Sequence, residues 1–407
     1  MTSTYKFLLS FTFFCFFLSL GYCQKTAPLV QDCFNAPIIK AEGKYRFEES
    51  PQGIGEKLEF SGNSSNSLQY FKKEHNSAWF QFDAVTDGLL IFKIIPKDTA
   101  ADFDFLLFKY TDENFCSDIV KKRIKPLRTN ISRYNPKEKS ATGLLTGADE
   151  ERVHSGPGNS YSKGLDVEQG DRYYLVLDNV YGNKAGFTLV FAYYSIVELT
   201  GVITNDENNV INEEVKVQWE SKTGEILAET IADKITGEFK LDAPILKNSK
   251  HGDYTLTVES NFNHFFFEKM IKITSEAFPD PINVILPVLK KGKKIVLHNI
   301  NFHGGSSIAL HTSKTSFKRI LKLMRANKSL TIRIDGHTNG CEGGVDSSQK
   351  LSQARAKAVK KYLINQGIDS ERISTKGFNC SQLLYPITGT EEEQSLNRRV
   401  EILVTGY

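Results

Sequence analysis

The sequence predicts a multidomain chain in which two β-sandwiches are followed by an α/β two-layer domain. Three observations lead there. Apolar residues alternate with period two in short runs from about residue 77 to residue 274, the pattern of strands. After Ile295 strand-like runs alternate with stretches of helical spacing, which favours a layered α/β arrangement. The length of 407 residues exceeds what one core usually holds, and 40% hydrophobic with 24% charged residues are globular proportions. Twenty-eight Phe and 16 Tyr against 3 Met suit strands better than helical bundles. Lys plus Arg of 51 against Asp plus Glu of 48 leaves a net charge of +3, too small to drive nucleic-acid binding by counterion release, so no nucleic-acid partner is expected.

At the start, Lys6 precedes an uncharged apolar run from Phe7 to Leu20, short of the about 20 residues a spanning helix needs. With Gly21-Tyr22-Cys23 at the cleavage position, residues 1–23 read as a secretory signal peptide and Gln24 as the mature terminus. The alternative makes Cys23 the acylated first residue of a lipoprotein; bulky Tyr22 before it argues against that. Export leaves Cys33, Cys116, Cys341 and Cys380, an even number in an oxidising compartment. The two clusters lie far apart in the chain, so pairing within each is the simple choice, Cys33 with Cys116 and Cys341 with Cys380. No CxxC or HxxxH spacing occurs, and neither a metal nor a cofactor is expected.

Residues 24–195 carry SAWFQFDA, GLLIFKII, DFDFLLFKY, RYYLVLDNV and GFTLVFAYY, strands of a first sandwich. In DFDFLLFKY, Phe103, Phe105 and Leu107 share one face, which places Asp102 and Asp104 on a solvated outer face rather than around calcium. Between Arg123 and Lys163 no period is sustained, and a long surface loop is expected. Residues 196–280 hold the second sandwich, from VELTGVITN through EEVKVQWES, EILAETIAD, GEFKLDA and DYTLTVES to FFFEKMIKIT. Residues 281–294, rich in proline and lysine, read as a linker. The last domain, 295–407, opens with KIVLHNINF. It continues with a helix in SKTSFKRILKLMRAN, strand LTIRIDGHT, a helix from about Leu351 to Gln366, strand RISTKGF, a capping box from Thr390 to Glu393 and strand RRVEILV.

Four strings of this last domain, IRIDGHTN, LSQARAKAVKKYLINQGI, RISTKGF and LNRRVEILV, resemble in order and spacing the OmpA-like peptidoglycan-binding domain. The resemblance implies non-covalent binding to the diaminopimelate residue of the stem peptide, tethering an envelope protein to the cell wall. A ligand that carries an ammonium and a carboxylate on one carbon needs an acceptor beside a cationic fork, and Arg meets a carboxylate bidentately. The resemblance assigns these roles to Thr338 and Asn339 at a strand end and to Arg355 near the start of its helix; Arg398 and Arg399 alternate along a strand start, so one is expected to face the site and the other a carboxylate, and the sequence leaves open which. Asn339 stands where the family has Asp; Glu342 or Asp346 in the following glycine-rich loop are candidates to replace the charge. His337 has no nucleophile pattern with it and reads as structural, and HSGPG is not a nucleophile elbow, so no enzyme is expected.

The middle unit resembles the carboxypeptidase regulatory-like sandwich, and the first unit resembles the sandwich appended to secreted peptidases. Together these readings describe a protein of the periplasm, associated with the cell wall and outer membrane, with peptidoglycan and other envelope proteins as partners. The alternative is an adhesin or surface-assembly subunit whose N-terminal sandwich binds protein or glycan, with wall binding only an anchor.

Overall fold

Alternating aromatic and aliphatic residues build the first unit from two sheets, seen here in a computed structural model that describes residues 25–61, 71–132, 140–154, 156, 159–247, 252–261, 263–273, 281–297, 300–341 and 344–407. The signal-peptide reading of residues 1–23 and the candidate Glu342 lie outside these residues. The unit comprises β1 (Gly43–Phe47), β2 (Ser77–Asp83), β3 (Gly88–Pro96), β4 (Phe103–Lys109), a short helix α1 (Phe115–Val120), β5 (Arg128–Asn130), β6 (Thr142–Leu145), β7 (Arg152–Val153), β8 (Tyr161–Lys163), β9 (Leu165–Val167), β10 (Arg172–Asn179) and β11 (Phe187–Asn205). One sheet runs β2-β10-β4-β5-β7; the other runs β1-β11-β3-β6-β8, with β9 also on β3. Phe80, Phe105 and Leu175 of the first meet Phe92, Leu189 and Phe191 of the second in a buried core.

The other face of the five-stranded sheet is covered too. Trp79, Leu106, Phe108 and Val176 pack there with Phe60 and Phe115. Strand β4 is therefore central and buried on both sides, which corrects the expectation of a solvated face for Asp102 and Asp104. Asp102 is buried, and half-buried Asp104 sits opposite Asp178 of β10. The expected loop between Arg123 and Lys163 is also corrected: it supplies β5, β6, β7 and β8, short strands held by pairing distant in sequence, as in β6 with β8. Cys33 and Cys116 are joined, linking the turn at Cys33–Asn35 to α1.

The boundary expected at residue 195 is crossed by a single strand. β11 pairs with β1 and β3 through its first half, then with β14 and, in parallel, β17 through its second. The middle strands are β12 (Val215–Ser221), β13 (Ile226–Ile231), β14 (Glu238–Leu246), β15 (Gly252–Ser260), β16 (Phe267–Ile273) and β17 (Ile282–Leu286). The sheet β13-β12-β15-β16 closes on β11, β14 and β17 around Val217, Trp219, Leu241, Leu256 and Val284. The expected linker 281–294 is thus partly a core strand, since Ile282, Val284 and Leu286 are buried in this cluster.

The last unit holds β18 (Lys294–Leu297), α2 (Lys314–Ala326), β19 (Thr331–Gly336), α3 (Val345–Asn365), β20 (Ile373–Gly377), α4 (Glu391–Asn397) and β21 (Val400–Gly406), with sheet order β18-β21-β19-β20. Apolar residues at helical spacing, Phe317, Ile320, Leu321 and Met324 of α2 and Ala356, Val359 and Leu363 of α3, cover Ile332, Ile334, Ile373, Val400 and Ile402. Phe265, from the turn between β15 and β16, is fully buried in this same core with Leu289. Thr390 and Glu393 form the capping box that opens α4.

Candidate functional site

Helix α3 begins at Val345, six residues before the expected start, so Arg355 lies well inside it rather than in its opening turn. Two glycines let this helix lie directly on the sheet. Gly336 of β19 and Gly377 of β20 are paired neighbours, and a methyl group on Gly336 would come within 2.1 Å of the Ser352 carbonyl oxygen. On Gly377 it would meet Ser352 Oγ at 2.5 Å. Side chains of α3 then fasten the sheet end: Gln349 Nε2 donates to the Gly377 carbonyl at 2.9 Å, and Gln353 Oε1 accepts from the Gly377 N–H at 2.6 Å.

The strand end continues into buried Thr338, whose backbone N–H donates to the Asn379 carbonyl at 2.9 Å and whose Oγ1 donates to the Gly340 carbonyl at 3.2 Å. Asn339 follows, half-buried. Ser348 Oγ also donates to the Gly340 carbonyl, at 3.1 Å, so α3 holds the loop that follows β19. Cys341 is joined to Cys380, which pins the same loop to the turn after β20. Asp346 is exposed in the first turn of α3.

Arg355 is 5% exposed. Its Nε donates to the Ser306 carbonyl at 3.1 Å, and its Cζ lies 5.2 Å from the centre of the Phe302 ring. Its terminal nitrogens have no hydrogen-bond or ion-pair partner among the described residues. Burial lowers the pKa of the guanidinium, and the nearby charge of Arg398 lowers it further. Both effects disfavour the cation, and the charge of a ligand carboxylate placed here would oppose them.

The structure separates the two candidate arginines at the start of the last strand. Arg398 donates to exposed Glu391 at 2.6 Å. Arg399 is buried, with Nε 2.8 Å from Glu401 Oε1 and Nη2 3.0 Å from the Gln382 carbonyl. Its donors are used inside the fold, so Arg399 is the one of the two that meets a buried carboxylate. His337 is fully buried, stacked on Phe378 with centroids 5.3 Å apart, and its Nε2 lies 3.4 Å from Glu401 Oε2. Burial would raise the Glu401 pKa, but His337, Lys294 and Arg399 around it hold the carboxyl well below the usual range. This cluster is a structural network, and among the described residues no group of three or more His, Cys, Asp or Glu is arranged to hold a metal ion.

Phe302 and Ser306 were not legible as site residues, because NINFHGGSS has no period; the Gly304-Gly305 pair was the available turn signal. Residues 301–398 match the OmpA family. The chain is 30% identical over 123 residues to the probable lipoprotein YiaD of Escherichia coli strain K12, covering 29% of this chain and 54% of that one. It is 42% identical over 81 residues to outer membrane protein A of Bordetella avium, covering 18% and 40%. Among solved structures, the cell wall anchor of the T6SS from Pseudomonas aeruginosa is 26% identical, with a TM-score of 0.25, over 28% of this chain and 80% of that one. The chain spans about half or less of the length of these curated relatives. The C-terminal part of this chain is an OmpA family domain.

Proposed function

We propose that this domain binds peptidoglycan non-covalently through a carboxylate of the stem peptide, diaminopimelate being the residue that fits, and so anchors an envelope protein to the cell wall without catalysis. The observation that carries the reading is Arg355: a buried cation held by the Ser306 carbonyl and the Phe302 ring, whose two terminal nitrogens have no partner among the described residues. The domain's relatives are named as a lipoprotein, an outer membrane protein and a cell wall anchor, which supports a place at the periplasmic side of the outer membrane. In this reading the two β units are spacers that present a surface to other envelope proteins.

The test is co-sedimentation of the full chain with purified diaminopimelate-containing sacculi. Arg355→Ala should weaken binding about 30-fold or more, because loss of a desolvated bidentate charge pair costs about 2 to 5 kcal/mol. Unchanged sedimentation of a folded Arg355→Ala chain overturns the assignment.

A further inference from the structure

We infer that the hairpin of residues 301–310 is the positioning element of the anion site, with Phe302 and Ser306 as positioning residues that aim Arg355 and leave its charge uncancelled. The ligand in this inference is that of the peptidoglycan reading; the geometry stands apart from it. The hairpin is tied at its root, where Ser313 Oγ bonds both the N–H and the carbonyl of Asn301 at 2.8 Å and the Leu310 N–H donates to the Asn301 carbonyl at 2.8 Å. Phe302 bridges Ala309, and the His303 N–H donates to the Ile308 carbonyl at 3.0 Å. At the tip Gly305 takes φ +63°, a conformation glycine adopts without strain, and the Ser306 N–H donates back to His303 at 3.0 Å. That turn delivers the Ser306 carbonyl to α3.

Two contacts of different direction fix a planar guanidinium. The Ser306 carbonyl takes the Nε hydrogen, and Cζ sits over the Phe302 ring, 5.2 Å from its centre. With Nε occupied, the side-on fork of Nε and one terminal nitrogen is closed to a carboxylate, and the end-on fork of the two terminal nitrogens remains. The hairpin therefore sets the direction of approach as well as the rotamer.

The other buried or paired arginines of the domain show why neutral contacts matter here. Arg333 is bound by Asp335, Arg399 by Glu401, and Arg319 by Glu220 and Glu268; each positive charge is cancelled where it sits. Arg372 is held by backbone carbonyls of Leu330, Met324 and Asn327, and Nε and Nη2 are thereby used at the end of α2. Arg355 alone among these combines a carbonyl and a ring with two open terminal nitrogens among the described residues. A carboxylate in place of the ring would orient the group equally well but would remove the attraction for an anionic ligand.

The experiment uses the full chain with Phe302→Leu, which keeps apolar volume and removes the π face, beside Phe302→Tyr and Phe302→Trp, which keep it. Two readouts are taken: affinity for diaminopimelate-containing sacculi, and hydrogen exchange of the Arg355 Nε–H by NMR on arginine labelled at Nε. Phe302→Leu should lose about 5- to 20-fold in affinity and exchange the Nε–H about 10-fold faster, while the Tyr and Trp variants stay within about 3-fold of the parent in both. Parent-like affinity and exchange in Phe302→Leu overturns the inference, as does an equal loss in all three variants. If the unaltered chain fails to bind sacculi, the peptidoglycan reading falls, and the Nε–H exchange series decides the role of the hairpin alone.

Discussion

Arg319 joins the OmpA family domain to the middle unit, and its replacement by Met should loosen that junction measurably. The side chain projects from α2 and is 7% exposed. Its terminal nitrogens donate to Glu220 of β12 and Glu268 of β16, Nη2 also reaches Thr257 Oγ1 at 2.9 Å, and Nε lies 3.4 Å from Glu259 Oε1. Ser316 Oγ adds a bond of 2.9 Å to Glu268. Arg319→Met leaves Glu220 and Glu268 buried without their cation, and breaking such a network costs about 3 to 5 kcal/mol. Burial already raises the Glu268 pKa while Arg319 opposes the rise, so without Arg319 the folded-state pKa climbs further above the unfolded value. A group raised in the folded state contributes stability at low pH that is lost as pH rises. The deficit of Arg319→Met should therefore be largest near neutral pH and shrink as Glu268 takes up its proton. The triple variant Arg319→Met, Glu220→Gln, Glu268→Gln should recover most of the loss, since removing both partners leaves no buried charge unpaired. Urea unfolding followed by circular dichroism between pH 5 and pH 8 measures all three chains. A midpoint for Arg319→Met within about 0.5 kcal/mol of the parent at neutral pH, or a triple variant no better than the single one, refutes the reasoning.

In the first unit, burial raises the pKa of Glu59 and Glu74 from 4.5 to about 7, each with one carboxylate oxygen that has no hydrogen-bond partner among the described residues. Their contribution is present below about 4.5 and lost as pH rises through about 7, on the order of 3 kcal/mol per group, so Glu59→Gln with Glu74→Gln should flatten the pH profile of urea unfolding, and parallel profiles would contradict this. Replacing both Cys341 and Cys380 by Ser opens a separation of 39 residues and should cost about 4 kcal/mol in the chain-entropy treatment, read as a lowered unfolding midpoint together with faster hydrogen exchange in residues 338–341. Asn339→Asp should tighten sacculus binding about 5-fold through a charge-assisted bond to a ligand ammonium, more at low salt than at high; identical affinity of the parent, Asn339→Asp and Asn339→Ala would remove Asn339 from the contact set.

What was legible in the sequence was periodicity, and what escaped was pairing between distant segments. The alternation of SAWFQFDA and RYYLVLDNV marks β2 and β10, and the helical spacing of Phe317, Ile320 and Met324 marks α2, because each pattern is local. Strands β6 and β8 are too short to show a period and exist through their parallel pairing. Alternation in β4 marks a strand, but period two cannot say whether the second face meets water or another layer, and here Leu106 and Phe108 meet Phe115. At the site, Thr338, Asn339 and Arg355 were visible because their strings sit on regular elements. The hairpin that holds Arg355 lies where the sequence is irregular, and the division of labour between Arg398 and Arg399 depends on which face of the strand start meets Glu401.

The segment read as a linker shows how composition can mislead about mechanics. Pro281 and Pro287 flank β17, and such prolines suggest a break; but among the described residues β17 pairs with β11 alone, and flanking or edge positions are where a strand tolerates proline. The alternation of Ile282, Val284 and Leu286 was the signal that outweighed the prolines, since all three are buried. Downstream, Leu289 enters the core of the OmpA family domain, and Lys293 Nζ pairs with Asp206 at the end of β11. Phe265 enters the same core from the middle unit, and Arg319 reaches back into that unit. A coil linker would let a wall-bound domain reorient freely; this one is replaced by a strand, a shared core and an ion network. The placement of the OmpA family domain against the middle unit is therefore set by folded contacts, the burial of Phe265 and Leu289 in one core, the pairing of Lys293 with Asp206 and the bonds of Arg319 to its carboxylates, rather than by a coil.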